Sequence, residues 1–311
     1  MRTPQVEPRA GMPDSVTIYE VGPRDGLQNE KSTVPVEVKA EFVRRLLDAG
    51  LDTIELTSFV PASWVPQLGD AEELLDLLGS VGVGDTRPVL VPNERGLDRA
   101  LAKGVRAIAV FGSATETFAR KNLNRSIDES IAMFEPVVRR ALDSGAWVRA
   151  YVSMCFGDPW EGPVPIPQVV DVCARLMDLG CDQLSLGDTI GVGTPGHVER
   201  LLDALDEVGI GVDQVGVHFH DTYGQALANT VTALERGVRV VDASTGGLGG
   251  CPYAKSATGN LATEDLVWAL DGMGIQHGAN LEKLVETSVW MSRQLGRPSP
   301  SRVVRALAGQ G

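Results

Sequence analysis

Two histidines stand two residues apart in His218-Phe219-His220-Asp221, at the end of an apolar run. Side chains two apart on a strand project to the same face, so both imidazoles can reach one metal ion from one side. A lone histidine is more often a satisfied structural group than a ligand. Here two of the chain's 4 histidines share one face, which favours the metal. Asp25, in Glu20-Val21-Gly22-Pro23-Arg24-Asp25-Gly26-Leu27-Gln28, closes another short apolar run and offers an oxygen ligand. Nitrogen and carboxylate ligands with open positions suit Mg²⁺, Mn²⁺ or another divalent ion. The competing reading of Arg24-Asp25-Gly26 is a plain tight turn, because Asp-Gly is turn-prone.

Further polar groups occupy similar places. Glu55 lies inside the apolar run Thr53-Ile54-Glu55-Leu56-Thr57, where a carboxylate must be paired or bound. Arg24 is its obvious partner, and a purely structural ion pair is the bland alternative. Asp188 and Thr189 end the run Ser185-Leu186-Gly187-Asp188-Thr189 and open a Gly-rich loop, in which Thr194-Pro195 reads as a helix start. Gly246-Gly247-Leu248-Gly249-Gly250-Cys251-Pro252-Tyr253-Ala254 is dense in glycine, which permits a loop that closes over substrate. It lacks the Gly-Lys-Ser/Thr ending of a phosphate loop. No apolar run surrounds Cys251, which favours reactivity over packing. Cys155, Cys173 and Cys181 fall in strand or helix patterns and read as inert. Asn260 is either the N-cap of a helix or a donor of an amide oxygen to the metal, and spacing does not separate the two.

These groups need a frame that brings them together. Eight β-rich runs, at 17–21, 53–57, 87–91, 107–111, 147–153, 183–186, 215–220 and 238–243, alternate with helix-period stretches at 36–49, 71–78, 126–144, 167–179, 195–208, 224–236 and 261–270. Gly50, Gly180 and Gly237 each stand just past a helix end. Such alternation implies a parallel sheet, and eight strands favour a closed (β/α)8 TIM barrel over an open doubly wound sheet. In a barrel, chemistry sits where strands end, and that is where the polar groups fall. The expected organisation is a disordered lead-in at 1–15, a catalytic barrel at 16–279, and a helical extension at 280–311 packed on it and broken at Arg297-Pro298-Ser299-Pro300.

Composition bounds the partners. Hydrophobic residues make up 43% and charged residues 22% of the 311 residues, as in a globular protein with a full core. A net charge of −13 disfavours nucleic acid and anionic membrane surfaces. No run approaches the roughly 20 apolar residues of a membrane span. Four cysteines without Cys-x-x-Cys spacing, and no apolar leader, point to a reducing cytoplasmic setting.

The assembled motifs resemble the 3-hydroxy-3-methylglutaryl-CoA lyase family. The resemblance is carried by Glu20 through Glu30, by Glu55-Leu56-Thr57-Ser58-Phe59-Val60, and by Gly187-Asp188-Thr189-Ile190-Gly191. It continues in His218-Phe219-His220-Asp221-Thr222-Tyr223-Gly224-Gln225-Ala226 and in the Cys251 loop running on to Gly259-Asn260-Leu261-Ala262-Thr263-Glu264-Asp265. It covers residues 16 to about 295. Arg-Asp-Gly-x-Gln alone marks the wider metallolyase superfamily, whereas the Gly-Gly-Cys-Pro-Tyr-Ala loop points to the lyase branch. The resemblance implies metal ligation by Asp25, His218, His220 and Asn260. It implies Arg24 as electrostatic stabiliser and Cys251 as catalytic acid, with Glu55 and Asp188 in support. Gln28 and Thr189 are expected to touch an acyl-CoA substrate. Asp25 or a neighbouring histidine such as His218 takes the hydroxyl proton. Phe219 stands where the family often has Cys and should point away from the metal. A homodimer is expected, serving leucine breakdown or ketone-body formation. A lyase for a larger 3-hydroxy-3-alkylglutaryl-CoA, or a CoA-ester-binding barrel without turnover, are the alternatives.

Overall fold

A computed structural model describes residues 3–250 and 259–308. Eight strands form one parallel sheet: β1 Thr17–Glu20, β2 Thr53–Ile54, β3 Val89–Leu90, β4 Ala107–Ser113, β5 Trp147–Ser153, β6 Gln183–Asp188, β7 Val215–Phe219 and β8 Val240–Ala243. Their ladder order is β2-β1-β8-β7-β6-β5-β4-β3. The two end strands then meet. Ile54 N–H donates to Thr86 O at 3.1 Å, Leu56 N–H to Pro88 O at 3.0 Å, and Leu90 N–H to Thr57 O at 2.9 Å. These bonds close the sheet into a (β/α)8 barrel and exclude the open doubly wound alternative. β2 and β3 are shorter than their apolar runs because Pro88 and Pro92, which flank Val89–Leu90, have no N–H to give.

The helices are α1 Val36–Asp48, α2 Ala71–Leu78, α3 Glu94–Ala102, α4 Glu116–Leu123, α5 Ile127–Asp143, α6 Ile166–Asp178, α7 Pro195–Glu207, α8 Ala226–Glu235, α9 Thr263–Met273, α10 Leu281–Leu295 and α11 Arg302–Ala308. Their starts follow local chemistry. Asn93 caps α3 through Gly96 N–H at 3.0 Å, and Ser126 with Glu129 forms a reciprocal capping box on α5. Helices α3 and α4 were not among the stretches read from periodicity. Each is under three turns long, and α3 is charged at four of its 9 positions, which thins its apolar face.

Most of the core lies between the helices and the outer face of the sheet. The barrel interior holds a separate small cluster, Tyr19, Val21, Leu90, Ala109 and Tyr151, among buried polar side chains. Residues 3–15, expected as a disordered lead-in, are placed along the end of α9. There Glu7 N–H donates to Gly272 O at 2.8 Å and Gln276 N–H to Asp14 O at 3.0 Å. Beyond α9, α10 packs on α1, with the Arg45 guanidinium 4.6 Å from the Trp290 ring centre.

Candidate metal centre

The turn after β1 is a π-helical turn, Gly22–Gly26, rather than a tight β-turn, and Gly26 N–H closes it onto Val21 O at 3.0 Å. Such turns are rare and recur at functional sites. Buried Glu20 holds this one in place. Its carboxylate accepts from Gly22 N–H and Thr245 N–H, both at 2.8 Å, and from the hydroxyls of Thr245 at 2.8 Å and Thr263 at 2.7 Å. A Cβ at position 22 would lie 2.5 Å from Glu20 Oε1, so the turn needs glycine there. The result is that Arg24 and Asp25 both line the barrel mouth.

There they meet the end of β7. Ligand atoms of Asp25, His218 and His220 lie within 4.8 Å of one another, and the two imidazole Nε2 atoms are 3.2 Å apart. Two adjacent ligands with metal–nitrogen bonds of about 2.1 Å would be separated by about 3 Å. Asn260 joins this cluster. The chain pairs His220 with Asn260 in an isolated antiparallel bridge, and Asn260 Nδ2 donates to Asp25 Oδ2 at 2.8 Å and to Leu248 O at 3.0 Å. Its amide oxygen is buried with no partner, as is His220 Nδ1. An unpaired buried oxygen beside a carboxylate and two imidazoles is a donor set that fits a divalent cation. The N-cap reading of Asn260 fails, since α9 starts at Thr263 and Ala262 occupies its cap position.

Protonation suits a cation as well. Burial pushes the Asp25 carboxyl up, but Arg24 and the two imidazoles more than reverse this and bring it to about 2. Burial, and then the neighbouring His218, push His220 down to about 4. At neutral pH the centre therefore presents an ionised carboxylate and a neutral imidazole at His220.

The expected Arg24–Glu55 pair is present, with Arg24 Nε 2.6 Å from Glu55 Oε2. Tyr151 Oη donates to the same oxygen at 3.1 Å, and Arg24 Nη1 lies 2.7 Å from Asp25 Oδ1. Glu55 thus holds the guanidinium beside the cluster. Gln28 and Thr189 line the same cavity of about 450 Å³, and Thr189 Oγ1 also accepts from Met154 N–H at 2.9 Å. Asp188 is placed differently. Its carboxylate accepts from the Val192 and Gly193 amides, both at 2.9 Å, so it shapes the loop behind the cavity. Burial raises it to about 6. Phe219 faces away from the imidazoles, with its ring centre 5.9 Å from that of Phe156. Cys251 lies outside the described residues. The other thiols are buried, and burial pushes Cys173 and Cys181 up to about 12. Opposite the polar wall stands an apolar one that includes Trp64, Leu90, Pro92, Phe111 and Phe118.

Three residues beneath the imidazoles escaped the sequence reading. Asp242 Oδ2 lies 3.1 Å from His218 Nδ1, Ser185 Oγ donates to it at 3.0 Å, and Arg149 Nη2 lies 2.7 Å from Asp242 Oδ1. The signal for Asp242 and Arg149 was the one that found Glu55, a charge inside an apolar strand.

The fold and the site together define a β/α-barrel enzyme whose mouth gathers a carboxylate and two imidazoles within reach of one ion. The HMGL-like family model matches residues 15–290, and the chain belongs to that family. It is 50% identical over 295 residues to the mitochondrial hydroxymethylglutaryl-CoA lyase of Bos taurus, covering 94% of this chain and 90% of that one. The cytoplasmic 3-hydroxy-3-methylglutaryl-CoA lyase of Rattus norvegicus is 48% identical over 298 residues, with 96% and 86% covered. Against the mitochondrial hydroxymethylglutaryl-CoA lyase of Arabidopsis thaliana the identity is 48% over 297 residues, and the match covers 96% of this chain but 63% of that protein's length. The crystal structure of the hydroxymethylglutaryl-CoA lyase from Pseudomonas aeruginosa superposes with a TM-score of 0.92 at 42% identity, covering 97% of this chain and 100% of that one.

Proposed function

We propose that this chain cleaves 3-hydroxy-3-methylglutaryl-CoA to acetyl-CoA and acetoacetate. The observation that carries the reading is the convergence of Arg24 with Asp25, His218 and His220 in one cavity, in a chain similar along its length to enzymes of that name. Asp25, His218, His220 and Asn260 would hold a divalent ion, Mg²⁺ or Mn²⁺. When bound, that ion supplies Lewis acidity, which lowers the pKa of a coordinated hydroxyl and orients the substrate.

The remaining steps belong to the chain's own residues. Asp25 or an adjacent imidazole takes the proton from the tertiary hydroxyl, which releases the C–C bond. Negative charge then develops on the thioester oxygen, and Arg24, fixed by Glu55, stabilises it. Cys251 delivers a proton to the enolate carbon, completing acetyl-CoA. Gln28 and Thr189 contact the substrate, and Asp188 keeps the neighbouring loop in shape. The chain acts as a homodimer. The cytoplasm is the compartment expected, although relatives bear both cytoplasmic and mitochondrial names. Among the described residues no helix is long and apolar enough to cross a membrane.

The test is a coupled assay for both products, with and without chelator and added Mg²⁺. His218→Ala should lose metal and turnover together, and survival of both would sink the metal assignment. Cys251→Ser should abolish acetoacetate production while metal binding persists. Unchanged production would remove the thiol from the mechanism.

A further inference from the structure

The polar cluster under the metal centre spans four adjacent strands and is larger than an ion pair needs to be. Arg149 on β5 is the largest fully buried side chain among the described residues. Its guanidinium lies 3.9 Å from the centre of the Tyr19 ring and 5.2 Å from that of Tyr151, two aromatic rings of the barrel interior. On β8, Asp242 takes Arg149 Nη2 on one oxygen and both Ser185 Oγ and His218 Nδ1 around the other. His218 and Asp242 are Cα partners in the β7–β8 ladder, so the backbone register sets this contact. The sequence also leaves room for the guanidinium. A Cβ on Gly216, two residues before His218 on the same strand, would overlap Arg149 Nη2.

From this geometry we infer that Arg149 is a positioning residue for the metal ligand His218, acting through Asp242, which Ser185 also holds. Arg149 on β5 holds Oδ1 of the Asp242 carboxylate, while Ser185 on β6 and His218 on β7 share its Oδ2. That oxygen accepts from Nδ1–H, which sets the ring's tautomer and plane and turns the Nε2 lone pair to the metal. A merely structural Arg149–Asp242 pair would also be buried and costly to break. It would not couple to metal affinity, and the two roles separate there. The inference rests on the metal reading of Asp25, His218 and His220.

The experiment is a direct Mn²⁺ titration, by electron paramagnetic resonance of the free ion, on the full chain without substrate. Arg149→Met should raise the dissociation constant about 10–100-fold, the usual effect of losing an outer-shell partner. Arg149→Lys, which keeps one donor, should recover part of this. Gly216→Ala touches neither Asp242 nor the metal and should reproduce the loss by displacing the guanidinium. Ser185→Ala removes a single hydroxyl and should weaken Mn²⁺ severalfold. Arg140→Met, at a surface pair with Asp98, is the control. Melting temperatures identify the folded variants. If Arg149→Met does not fold, Arg149→Lys and Ser185→Ala decide the question. Folded variants that bind Mn²⁺ within about twofold of the wild type overturn the inference. A wild-type chain that binds no Mn²⁺ overturns it together with the metal reading. A chain that binds Mn²⁺ as described but does not cleave the CoA ester sinks only the substrate assignment.

Discussion

Arg24 sits between two carboxylates, one in the turn after β1 and one just beyond β2, 2.7 Å from Asp25 and 2.6 Å from Glu55, with the Tyr151 ring 5.2 Å away. Burial works against its charge, but Glu55 and then Asp25 hold its proton firmly. It is therefore a permanent cation fixed beside the cluster of Asp25, His218 and His220. Arg24→Met should lower kcat about 10²–10³-fold, the range for losing one preorganised donor, in the coupled product assay. Glu55→Gln keeps the shape but loosens the guanidinium, so it should lower kcat by a smaller factor. At this scale the sequence was readable where a residue broke its local pattern. Glu55 in an apolar strand asked for a partner, and Arg24 was near. Arg149 and Asp242 broke the pattern equally, but their partners are 93 residues apart in the chain. Only barrel closure reveals that they meet.

Among the elements, the Gly246 turn ties the end of β8 to α9 and the C-terminal extension. Gly246 has φ 72°, a left-handed conformation suited to glycine. Its N–H donates to both oxygens of Glu264, and its carbonyl accepts from Ser299 Oγ at 2.9 Å. Burial raises the Glu264 carboxyl to about 8, against an ordinary value of 4.5. The folded chain thus keeps a proton that the unfolded chain has released. The associated stability is complete below about pH 4.5 and is lost as pH rises through about 8. Thermal unfolding of the wild type should fall in midpoint from pH 5 to pH 8. Glu264→Gln, which cannot titrate, should flatten that slope. Equal slopes would show that the group is not protonated in the fold. Asp188 acts in the same direction between about 4 and 6, His220 acts in the opposite direction between about 4 and 6.5, and Asp25 acts below that window, so the difference between the two proteins isolates Glu264. The π-helical turn and the His220–Asn260 bridge were illegible in the sequence. Asp-Gly chemistry suggests a β-turn, and nothing local announces that a loop amide will pair with a strand end.

For the molecule as a whole, the eight-strand count and the helix ends were legible because apolar period and Gly punctuation are local signals. The manner of closure was not, because β2 and β3 join through irregular backbone bonds rather than a regular ladder. The C-terminal extension belongs to the same frame. Ser301 Oγ and the Val303 amide both donate to Asp265 Oδ1, at 2.7 and 2.9 Å, and Ser299 reaches the Gly246 carbonyl. Removing residues 297–311 strips these buried groups of their partners. The melting temperature should then drop by about 5 °C or more. A truncated chain that melts with the wild type would show the extension to be dispensable.

The cavity has two unlike walls. Its polar side comes from β7, the turn after β1 and, among the residues beside it, Asn260, whereas Leu90, Phe111 and Phe118 on the apolar side come from β3, β4 and α4. The two walls are thus written in separate stretches of the gene. On the proposed function, a breeding programme that randomises codons 90, 111 and 118 reshapes the apolar wall while Arg24, Asp25 and His218 are inherited unaltered. Descendants selected on a bulkier ester should need no compensating change at Arg24, Asp25 or His218.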